Sequence, residues 1–399
     1  MPTVTVVYPT DPLAVVPGGT DTCIRDILRC APEDIRMKLV GVTTDTRARP
    51  VHRWVNCTVS GREFEFYGLM SVADLESQKR VPLSLQFTLR LLSNASLFRD
   101  ADVIQLNRIE PALGLLGCPQ PKLLIIHQNM EVVSDKNSDI RWKYFPGLYF
   151  WIEKVLLKRV REIFIVREDA VEEYRKRFPE KKKAIRFLPT WMNPGLFYEL
   201  DNQSKHHERE SFSDFPISPD DQMLVFVGRL DHQKDPLYLI DILEALKAKR
   251  EKWKMLIIGD GVLRSDVEEA IYRTDLKDRV LVAGARLQDE VARFVRASDL
   301  LLLSSAYEGM PRCVVEALGC GVPVVTTNAG EVSLLVNDGE NGFIVKEKDP
   351  EEFANKVECV LSNLGAYSGR VCLDAVNPYK ADVVLEDLYG TYRNLARSA

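Results

Sequence analysis

The sequence predicts an α/β protein made of two doubly wound domains, each a parallel sheet with helices on both faces. Three observations lead to this fold class. The second half of the chain alternates short apolar runs with stretches of helical periodicity, for example "MLVFVG" followed by "DPLYLIDILEALKAKR". The first half repeats this alternation less regularly, and a polar stretch separates the halves. Strands that alternate with helices indicate βαβ units and a parallel sheet.

The first predicted domain covers residues 1–197. Its predicted strands are "TVTVVYP", "KLVGVTTD", "EFEFYGLM", "DVIQLNR", "PKLLIIHQN", "REIFIVRE" and "AIRFLPTW". The helices expected between them are "TDTCIRDILRC", "PLSLQFTLRLLSNASLF", "GLYFWIEKVLLKRV" and "DAVEEYRKRF". Residues 198–221 are polar, without apolar periodicity, and are predicted to form a linker.

The second predicted domain covers residues 222–379. Its strands are expected at "MLVFVG", "KMLIIGDG", "RVLVAG", "DLLLLSS", "VPVVTT" and "NGFIVK". Each is a short apolar run, as a strand buried on both faces requires. Helical spacing marks the segments between them and the segment "DPEEFANKVECVLSN", and a short helix is expected at "EVSLLVN". A terminal helix over residues 380–399 has an apolar face that includes Val383, Leu385, Leu388, Tyr389 and Tyr392 and must dock on another surface.

The composition is that of a globular protein with two cores. The chain has 399 residues, 46% of them hydrophobic and 28% charged, with a formal net charge of −5. That charge gives no global basic field for nucleic acid. The eight cysteines include no C-x-x-C pair and are expected to be reduced thiols of a cytoplasmic protein. No signal peptide or membrane-spanning segment is expected from the sequence.

Two glutamates flank the start of a predicted helix in "AYEGMPRCVVEALGCGVPVV". Glu308 lies in the loop after a strand, Pro311 suits the first helical position, and Glu316 lies within the helix. Carboxylates placed there can accept hydrogen bonds from a ribose diol and from a second sugar. The helix start also offers backbone N–H groups for an anion or polar ligand, namely those of Arg312, Cys313 and Val314. The alternative is an acid that stabilises the helix dipole and a solvated loop acid.

Two cations follow the first strand of the second domain. Arg229 and Lys234 lie in "FVGRLDHQKDP", between that strand and the next helix. Arginine can bind a phosphate group in a bidentate manner and lysine acts as a point charge, so the pair suits a diphosphate. The alternative is a loop with two solvated cations.

Together these segments resemble a known family. "VGRLDHQKDP", "LIIGDG", "VLVAG", "EGMPRCVVEALGCGVPVV" and "DGENGFIV" are similar to the retaining glycosyltransferases of family 4, often called glycosyl transferases group 1. The resemblance covers nearly all of residues 224–361 and includes the E-x7-E spacing of Glu308 and Glu316. In the first half, "PGG" at residues 17–19 and His127 match by position.

The resemblance implies the GT-B fold, with two Rossmann-like domains facing across a cleft and a C-terminal helix that crosses back onto the first domain. It implies a hexosyltransferase whose nucleotide-sugar donor binds mainly to the second domain. In this interpretation Glu316 holds the ribose hydroxyls, and Glu308 lies near the 3- and 4-hydroxyls of the donor sugar. Arg229 and Lys234 hold the diphosphate and stabilise it as it leaves, while His127 contacts the sugar or the acceptor.

The rest of the donor site also follows from the resemblance. Backbone groups near Arg286 and Leu287 are expected to meet the base, and the amides of Gly18 and Gly19 to close over the phosphate. The predicted donor-binding set further includes Gly259, Gly309, Met310, Arg312, Cys313 and Val314. Position alone would favour a structural role for His127 over a functional one.

No cofactor or metal is expected. The family retains anomeric configuration, and its favoured mechanism is front-face attack, in which the departing phosphate takes the proton of the acceptor. "DAD" at residues 100–102 has the form of a metal-binding D-x-D, but it precedes a strand and is interpreted as structural. The first strand is not followed by G-x-G-x-x-G, which excludes the NAD fingerprint.

Basic segments in the first half raise the question of a membrane partner. In "WIEKVLLKRVRE", Lys154, Lys158 and Arg161 share one helical face, and "YRKRFPEKKK" adds further cations. One hypothesis is peripheral contact with the anionic inner face of a membrane, where a lipid-linked acceptor would be found. The alternative is an ordinary solvated face of core helices.

The sequence therefore predicts a glycosyltransferase that uses a UDP-sugar, with UDP-glucose as the first candidate, and builds a polysaccharide or glycolipid. One alternative is a GDP-mannose-dependent mannosyltransferase. The others are a sugar-nucleotide-binding subunit without catalysis and an epimerase or hydrolase on the same scaffold.

Overall fold

The chain forms two compact units. The computed structural model describes residues 1–15, 19–73, 81–127, 146–212 and 215–398. Of the described residues, the first unit contains those within 1–15, 20–189 and 384–398, and the second contains Gly19 and those within 190–383. The first unit is therefore discontinuous in sequence.

The first unit is built on a sheet of eight described strands. These are β1 (Thr3–Val7), β2 (Arg36–Thr43), β3 (Trp54–Val59), β4 (Arg62–Ser71), β5 (Val103–Leu106), β6 (Lys122–Ile126), β7 (Glu162–Ile165) and β8 (Ile185–Phe187). Their order is β3-β4-β2-β1-β5-β6-β7-β8, and all neighbours are parallel except β3 and β4. The central strands are largely apolar and buried, as a sheet covered on both faces requires, although β5 also contains the buried Gln105.

The helices of the first unit that precede the second unit are α1 (Gly19–Arg29), α2 (Leu83–Leu92), α3 (Ile109–Gly114), α4 (Pro146–Leu157) and α5 (Glu168–Arg177). Short 3-10 turns occur at Ala95–Phe98 and Pro179–Lys181. The edge strand β3 and helix α3 were not anticipated from the sequence. β3 pairs antiparallel with β4 at the edge of the sheet and has exposed and half-exposed positions, so it lacks the apolar run typical of the buried strands.

The second unit is built on a six-stranded parallel sheet. Its strands are β9 (Gln222–Val227), β10 (Trp253–Ile258), β11 (Val280–Gly284), β12 (Leu300–Leu303), β13 (Val324–Thr327) and β14 (Gly342–Val345), in the order β11-β10-β9-β12-β13-β14. Its helices are α6 (Asn202–Glu210), α7 (Pro236–Lys247), α8 (Arg264–Arg273), α9 (Gln288–Ala297), α10 (Arg312–Gly319), α11 (Pro350–Ser362), α12 (Leu364–Tyr367) and α13 (Arg370–Val376). The segment "EVSLLVN" lies mainly in a 3-10 turn, Gly330–Leu334, and a second turn covers Asn377–Tyr379.

The segment predicted as a linker, 198–221, belongs to the second unit and contains α6. The carboxylate of Asp201 caps α6 by accepting a hydrogen bond from the Ser204 N–H at 2.7 Å. The buried Arg209 donates from Nε to the Ala297 carbonyl at 2.8 Å and pairs with Asp299 at 2.7 Å. Because α6 is anchored by charged groups and not by an apolar stripe, hydrophobic periodicity could not reveal it.

The last helix, α14 (Ala381–Arg397), returns to the first unit as predicted. Its apolar face, formed by Leu385, Leu388, Tyr389 and Tyr392, is buried, whereas Val383, assigned to the same face, is 55% exposed. The Tyr389 hydroxyl donates to the Ile27 carbonyl at 2.9 Å. The docking surface required by the amphipathic pattern is therefore the first unit itself.

Three other expectations from the sequence concern the cysteines, the D-x-D sequence and membrane-spanning helices. All eight cysteines are free thiols. Asp102, from the D-x-D sequence, accepts a hydrogen bond from the Thr3 N–H at 2.7 Å, which ties it to the start of β1. No helix in the described part of the chain is both long enough and apolar enough to cross a bilayer.

Candidate functional site

Two loops of the second unit meet at the middle of its sheet. β9 and β12 are neighbours, yet the strands that follow them in sequence lie on opposite sides of the pair. Such a reversal of strand order opens a crevice at the carboxyl ends of parallel strands. The loop after β9 carries Arg229 and Lys234, and the loop after β12 carries Glu308. The fold thus brings three predicted site residues to one crevice.

Lys234 and Glu308 form the centre of this crevice. The Lys234 Nζ lies 2.5 Å from Glu308 Oε1, and both side chains are largely buried, with 15% and 6% of their surface exposed. The Ser305 hydroxyl donates to the same carboxylate oxygen at 2.6 Å. Burial alone would lower the pKa of Lys234, but the Glu308 carboxylate more than offsets this, so the pKa is raised. Lys234 is therefore a fixed positive charge.

Arg229 lies beside this pair and is more accessible. Its side chain is 50% exposed, and its Nη1 lies 3.1 Å from Asp231 Oδ2. Its Nη2 donates to the Gln233 side-chain oxygen at 3.1 Å. The positive charge of Arg229 acts to lower the pKa of Lys234, which shows that the two cations interact electrostatically. The crevice holds two like charges close together, an arrangement that favours an anionic ligand.

The loop that carries Glu308 depends on Gly330. This residue has φ +64°, and a Cβ placed on it would lie 2.1 Å from the Gly309 carbonyl oxygen and 2.6 Å from that of Glu308. The Glu331 N–H donates to the Gly309 carbonyl at 2.9 Å. Met310, next in the loop, is buried, and its carbonyl accepts a hydrogen bond from the Thr190 hydroxyl at 3.1 Å. The backbone of the predicted residues Gly309 and Met310 is therefore held in place from two sides.

The second glutamate of the pair lies inside α10. Glu316 is 5% exposed, and its Oε1 accepts a hydrogen bond from Arg312 Nε at 2.8 Å. The Arg312 guanidinium in turn lies 5.8 Å from the ring centroid of Trp191. Each glutamate of the E-x7-E pair thus faces a cation of the same unit. The sequence did not reveal that Arg312 contributes its side chain as well as its backbone.

The start of α10 differs in detail from the prediction. Pro311 precedes the helix in an extended conformation (φ −70°, ψ 114°) and does not occupy its first position. The Val314 N–H, predicted to be available to a ligand, already donates to the Pro311 carbonyl at 3.1 Å. Cys313 is buried, and burial raises the pKa of its thiol to about 12. Cys313 is therefore an uncharged packing residue and not a nucleophile.

The remaining predicted contacts of the second unit lie in two nearby loops. Gly259 has φ +146°, and a Cβ there would lie 1.8 Å from the Gly228 carbonyl, so glycine lets the loop after β10 pack against the loop that leads to Arg229. The Leu287 N–H donates to the Glu290 carboxylate at 3.2 Å, and its carbonyl accepts from the Val291 N–H at 2.9 Å. The backbone of Leu287 is thus already used to begin α9.

Arg286 precedes Leu287 in the same loop, and its side chain is 39% exposed. Its Nη1 lies 3.9 Å from Glu290 Oε1, so the side chain is only loosely held.

His127 lies at the carboxyl end of β6 in the first unit. Its Nε2 lies 3.2 Å from the Asn107 side-chain oxygen. Burial, together with the positive charge of Arg108, lowers the pKa of His127 to about 4, so the ring is neutral near pH 7. Gly19, the first residue of α1, has open space around its Cα, and Gly18 lies outside the described residues.

Several site residues were missed from the sequence. Ser305 and Gln233 contact Glu308, with the Gln233 amide nitrogen 3.5 Å from Glu308 Oε2. Asn107 contacts His127, and Gly330 supports the Glu308 loop. Of these, Gln233 lay in a segment already assigned to the site, "LDHQKDP", whereas Ser305 and Asn107 lay in segments predicted only as strands. Among the described residues, no three or more His, Cys, Asp or Glu side chains gather as a metal site would require.

Comparisons with known proteins find a matching family and named relatives. Residues 207–367 match the family model described as "Glycosyl transferases group 1". A relative from Escherichia coli, named UDP-Gal:alpha-D-GlcNAc-diphosphoundecaprenol alpha-1,3-galactosyltransferase, is 30% identical over 176 residues, which cover 42% of this chain and 45% of the relative. The chain spans about half the length of the curated relatives it matches.

Solved structures match over the whole chain. Sucrose-phosphate synthase from Thermosynechococcus elongatus superimposes with a TM-score of 0.78 at 20% identity and covers 100% of both chains. Anabaena HepE in complex with UDP-glucose gives a TM-score of 0.70 at 16% identity, covering 98% of this chain and 99% of that one. At these identities the likeness shows the fold alone, which is GT-B as the resemblance implied. The chain is therefore a GT-B protein, and residues 207–367, which lie in its second unit, match the family model of the glycosyl transferases group 1.

Proposed function

We propose that this protein is a retaining glycosyltransferase of family 4 that transfers a sugar from a UDP-sugar, with UDP-glucose as first candidate, to a glycan or glycolipid acceptor. The observation that carries the proposal is the pair of cations, Arg229 and Lys234, held beside Glu308 at the switch point of the second sheet. A diphosphate is the ligand that best neutralises two adjacent cations.

The N–H groups of Lys234 and Arg229 are sufficient in number to bind a diphosphate. An ammonium group has three N–H donors, and the hydrogen bond of Lys234 to Glu308 uses one. A guanidinium has five, and the contacts of Arg229 with Asp231 and Gln233 use two of them. Because Arg229 is half exposed, it can turn toward a phosphate at small cost. The crevice can therefore bind a diphosphate without breaking the Lys234–Glu308 pair.

Glu308 is paired with the phosphate-binding Lys234 and can also accept a hydrogen bond from the donor sugar. A carboxylate can accept up to about four hydrogen bonds. Those from Lys234 and Ser305 both reach Oε1, while Gln233 approaches Oε2 at 3.5 Å, at the limit of a hydrogen bond. A donor-sugar hydroxyl can approach the second oxygen, in the role that the resemblance gives this residue. Glu316, paired with Arg312, has the corresponding role toward a ribose.

The proposed mechanism relies on positioning and charge. The acceptor attacks on the face from which the diphosphate leaves, and a phosphate oxygen takes the acceptor proton. Arg229 and Lys234 stabilise the negative charge that develops on the diphosphate, and loss of one such contact typically costs about 2–4 kcal/mol of transition-state stabilisation. No metal is required in this proposal, because the two side chains supply the charge.

The choice of a UDP-sugar is supported by the names of similar proteins. Anabaena HepE was solved with UDP-glucose, and the Escherichia coli relative is named for UDP-Gal. A GDP-mannose donor is the alternative, since contacts to the base are made largely by backbone groups. A binding subunit without catalysis is a second alternative, and hydrolysis of the donor without acceptor at high protein concentration would separate it from an enzyme.

A membrane-bound acceptor is part of the proposal. On and just after α4, Lys154, Lys158 and Arg161 are exposed, and Trp151 is 63% exposed. On α2, three leucines at helical spacing are 47%, 57% and 58% exposed, namely Leu85, Leu89 and Leu92. Exposed basic and apolar side chains are the two kinds that bind an anionic bilayer surface.

Co-sedimentation with vesicles of rising anionic lipid content, at several salt concentrations, tests this surface. Binding should rise with anionic lipid and fall with salt, and fall further in the double variant Lys154→Glu/Lys158→Glu. Binding that is independent of lipid charge would refute the electrostatic contact.

The donor site is tested by a thermal-shift panel of UDP-, GDP- and ADP-sugars against the wild type and Arg229→Ala. Ligand that binds the native state raises its stability by mass action, by about 2.7 kcal/mol at a hundredfold excess over Kd. We expect the largest gain with a UDP-sugar and its loss in Arg229→Ala. Arg293→Ala is the matched control, because Arg293 is 48% exposed and paired with Glu208 on the same unit. An equal gain in Arg229→Ala and the wild type would refute the phosphate assignment.

A further inference from the structure

A chain of hydrogen bonds connects the last helix to His127. The Tyr392 hydroxyl on α14 donates to the Gln105 side-chain oxygen. The Gln105 amide nitrogen donates to the Asn107 side-chain oxygen at 3.1 Å, and His127 Nε2 lies 3.2 Å from that same oxygen. All four residues belong to the first unit.

The chain of bonds is buried along its length up to the histidine. Tyr392 and Gln105 have no exposed surface, and Asn107 is 3% exposed. A glutamine in the middle of a buried apolar strand is costly unless its amide is hydrogen-bonded. Core packing alone would be better served by an apolar residue at position 105. The presence of Gln105 therefore indicates that this chain of hydrogen bonds has a role other than packing.

The direction of the bonds is set at the tyrosine. Tyr392 is wholly buried, and among the described residues the amide of Gln105 is the partner of its hydroxyl. The single O–H hydrogen must donate there, since a buried donor without a partner is expensive. Gln105 therefore presents its oxygen to Tyr392 and its nitrogen to Asn107. Asn107 then turns its oxygen toward His127, which must carry its proton on Nε2.

We propose that Tyr392, Gln105 and Asn107 are positioning residues that hold His127 in the Nε2–H tautomer, so that its Nδ1 accepts a hydrogen bond from a sugar hydroxyl. When Nε2–H donates to the Asn107 oxygen, Nδ1 on the other side of the ring carries a lone pair that can accept one hydrogen bond. The sugar contact rests on the proposed function, whereas the tautomer does not.

The tautomer can be measured without any ligand. In protein with 15N-labelled histidine, the ring nitrogen shifts and their couplings to the ring protons identify the protonated nitrogen, and His127→Gln assigns the signal. We expect a single Nε2–H tautomer in the wild type. In Tyr392→Phe, Gln105 has no donor to fix its amide, so the Nδ1–H form becomes populated and the two ring shifts move toward each other.

Tyr389→Phe is the matched control. Tyr389 lies on the same helix with its ring centroid 6.0 Å from that of Tyr392, and its buried hydroxyl bonds to the Ile27 carbonyl, away from His127. It should leave the His127 signals unchanged. Gln105→Met, which breaks the chain of bonds with little change in volume, replaces Tyr392→Phe if that variant does not fold. An Nδ1–H tautomer in the wild type, or unchanged signals in Tyr392→Phe and Gln105→Met, would overturn the inference.

Activity provides a separate readout. With UDP-glucose, Tyr392→Phe should lower kcat/KM by about three- to tenfold, the factor expected for one hydrogen bond, and Tyr389→Phe should not. If the wild type turns over none of the tested nucleotide sugars, the proposed function fails while the tautomer result stands. If Tyr392→Phe changes the tautomer but not kcat/KM, the sugar contact is refuted and only the positioning remains.

Discussion

Replacing Lys234 by methionine should affect stability and donor binding through two separable causes. The substitution keeps most of the length of the side chain and removes its charge. It leaves the Glu308 carboxylate, 6% exposed, without its cation. It also removes one of the two groups proposed to hold the diphosphate. A single variant would mix these effects, so a second substitution is needed.

The stability cost can be estimated from the contacts. Breaking a buried ion pair by removing one partner costs about 3–5 kcal/mol. Here the carboxylate keeps the Ser305 hydroxyl at 2.6 Å and the Gln233 amide at 3.5 Å, so we expect about 2–3 kcal/mol. For a unit of this size, each kcal/mol lowers Tm by about 2–4 °C, which gives a fall of about 4–12 °C.

The double variant Lys234→Met/Glu308→Gln separates stability from binding. A neutral glutamine removes the uncompensated charge, so most of the lost stability should return. Binding of the UDP-sugar should stay at least tenfold weaker in both variants, because each lacks the cation. Denaturant unfolding and isothermal titration calorimetry measure the two quantities. Donor affinity that recovers together with stability in the double variant would refute a direct role for Lys234 in phosphate binding.

Three further outcomes are expected. Gly330→Ala should displace the Glu308 loop, because its Cβ would lie 2.1 Å from the Gly309 carbonyl. Titration calorimetry should therefore show weaker donor binding than for the control Gly365→Ala, where a Cβ meets open space. The pKa of His127 is lowered to about 4, so between pH 6.5 and 4 the unfolded chain takes up a proton on this residue and the native state does not. The stability of the wild type should therefore fall over this range relative to that of His127→Gln, by about 1–3 kcal/mol as measured by denaturant unfolding. Excess EDTA should leave donor turnover unchanged, because Arg229 and Lys234 supply the positive charge; a loss restored by added metal would contradict this.

The fold was largely predictable because its signals are local. Buried parallel strands appear as short apolar runs, and "DLLLLSS" corresponds to β12, Leu300–Leu303. The amphipathic face of α14 was visible, and the unit it docks on followed from the resemblance. In contrast, α6 is held by an Asp201 cap and by Arg209, which carry no apolar period. Polar elements of this kind escape a method based on hydrophobic spacing.

The candidate site was predictable as a set of residues but not as a network. The loops after β9 and β12 were identified, and Lys234 and Glu308 are in contact as two loops at one sheet edge would allow. The contacts of Ser305 with Glu308 and of Asn107 with His127 depend on three-dimensional positions with no fixed spacing in sequence. The pairing of Arg312 with Glu316, four residues apart on one helix, could have been anticipated.

The return of α14 has a consequence for how the protein is made. The first unit is interrupted after Pro189 and resumes at Val384, so its final helix leaves the ribosome about 200 residues later. At a synthesis rate of about 5–20 residues per second, this delay lasts roughly 10–40 s. During that time the surface that Leu385, Leu388 and Tyr392 will later cover is exposed to solvent and accessible to chaperones or to other nascent chains. The second unit, continuous from Thr190 to Val383, can complete its own core first.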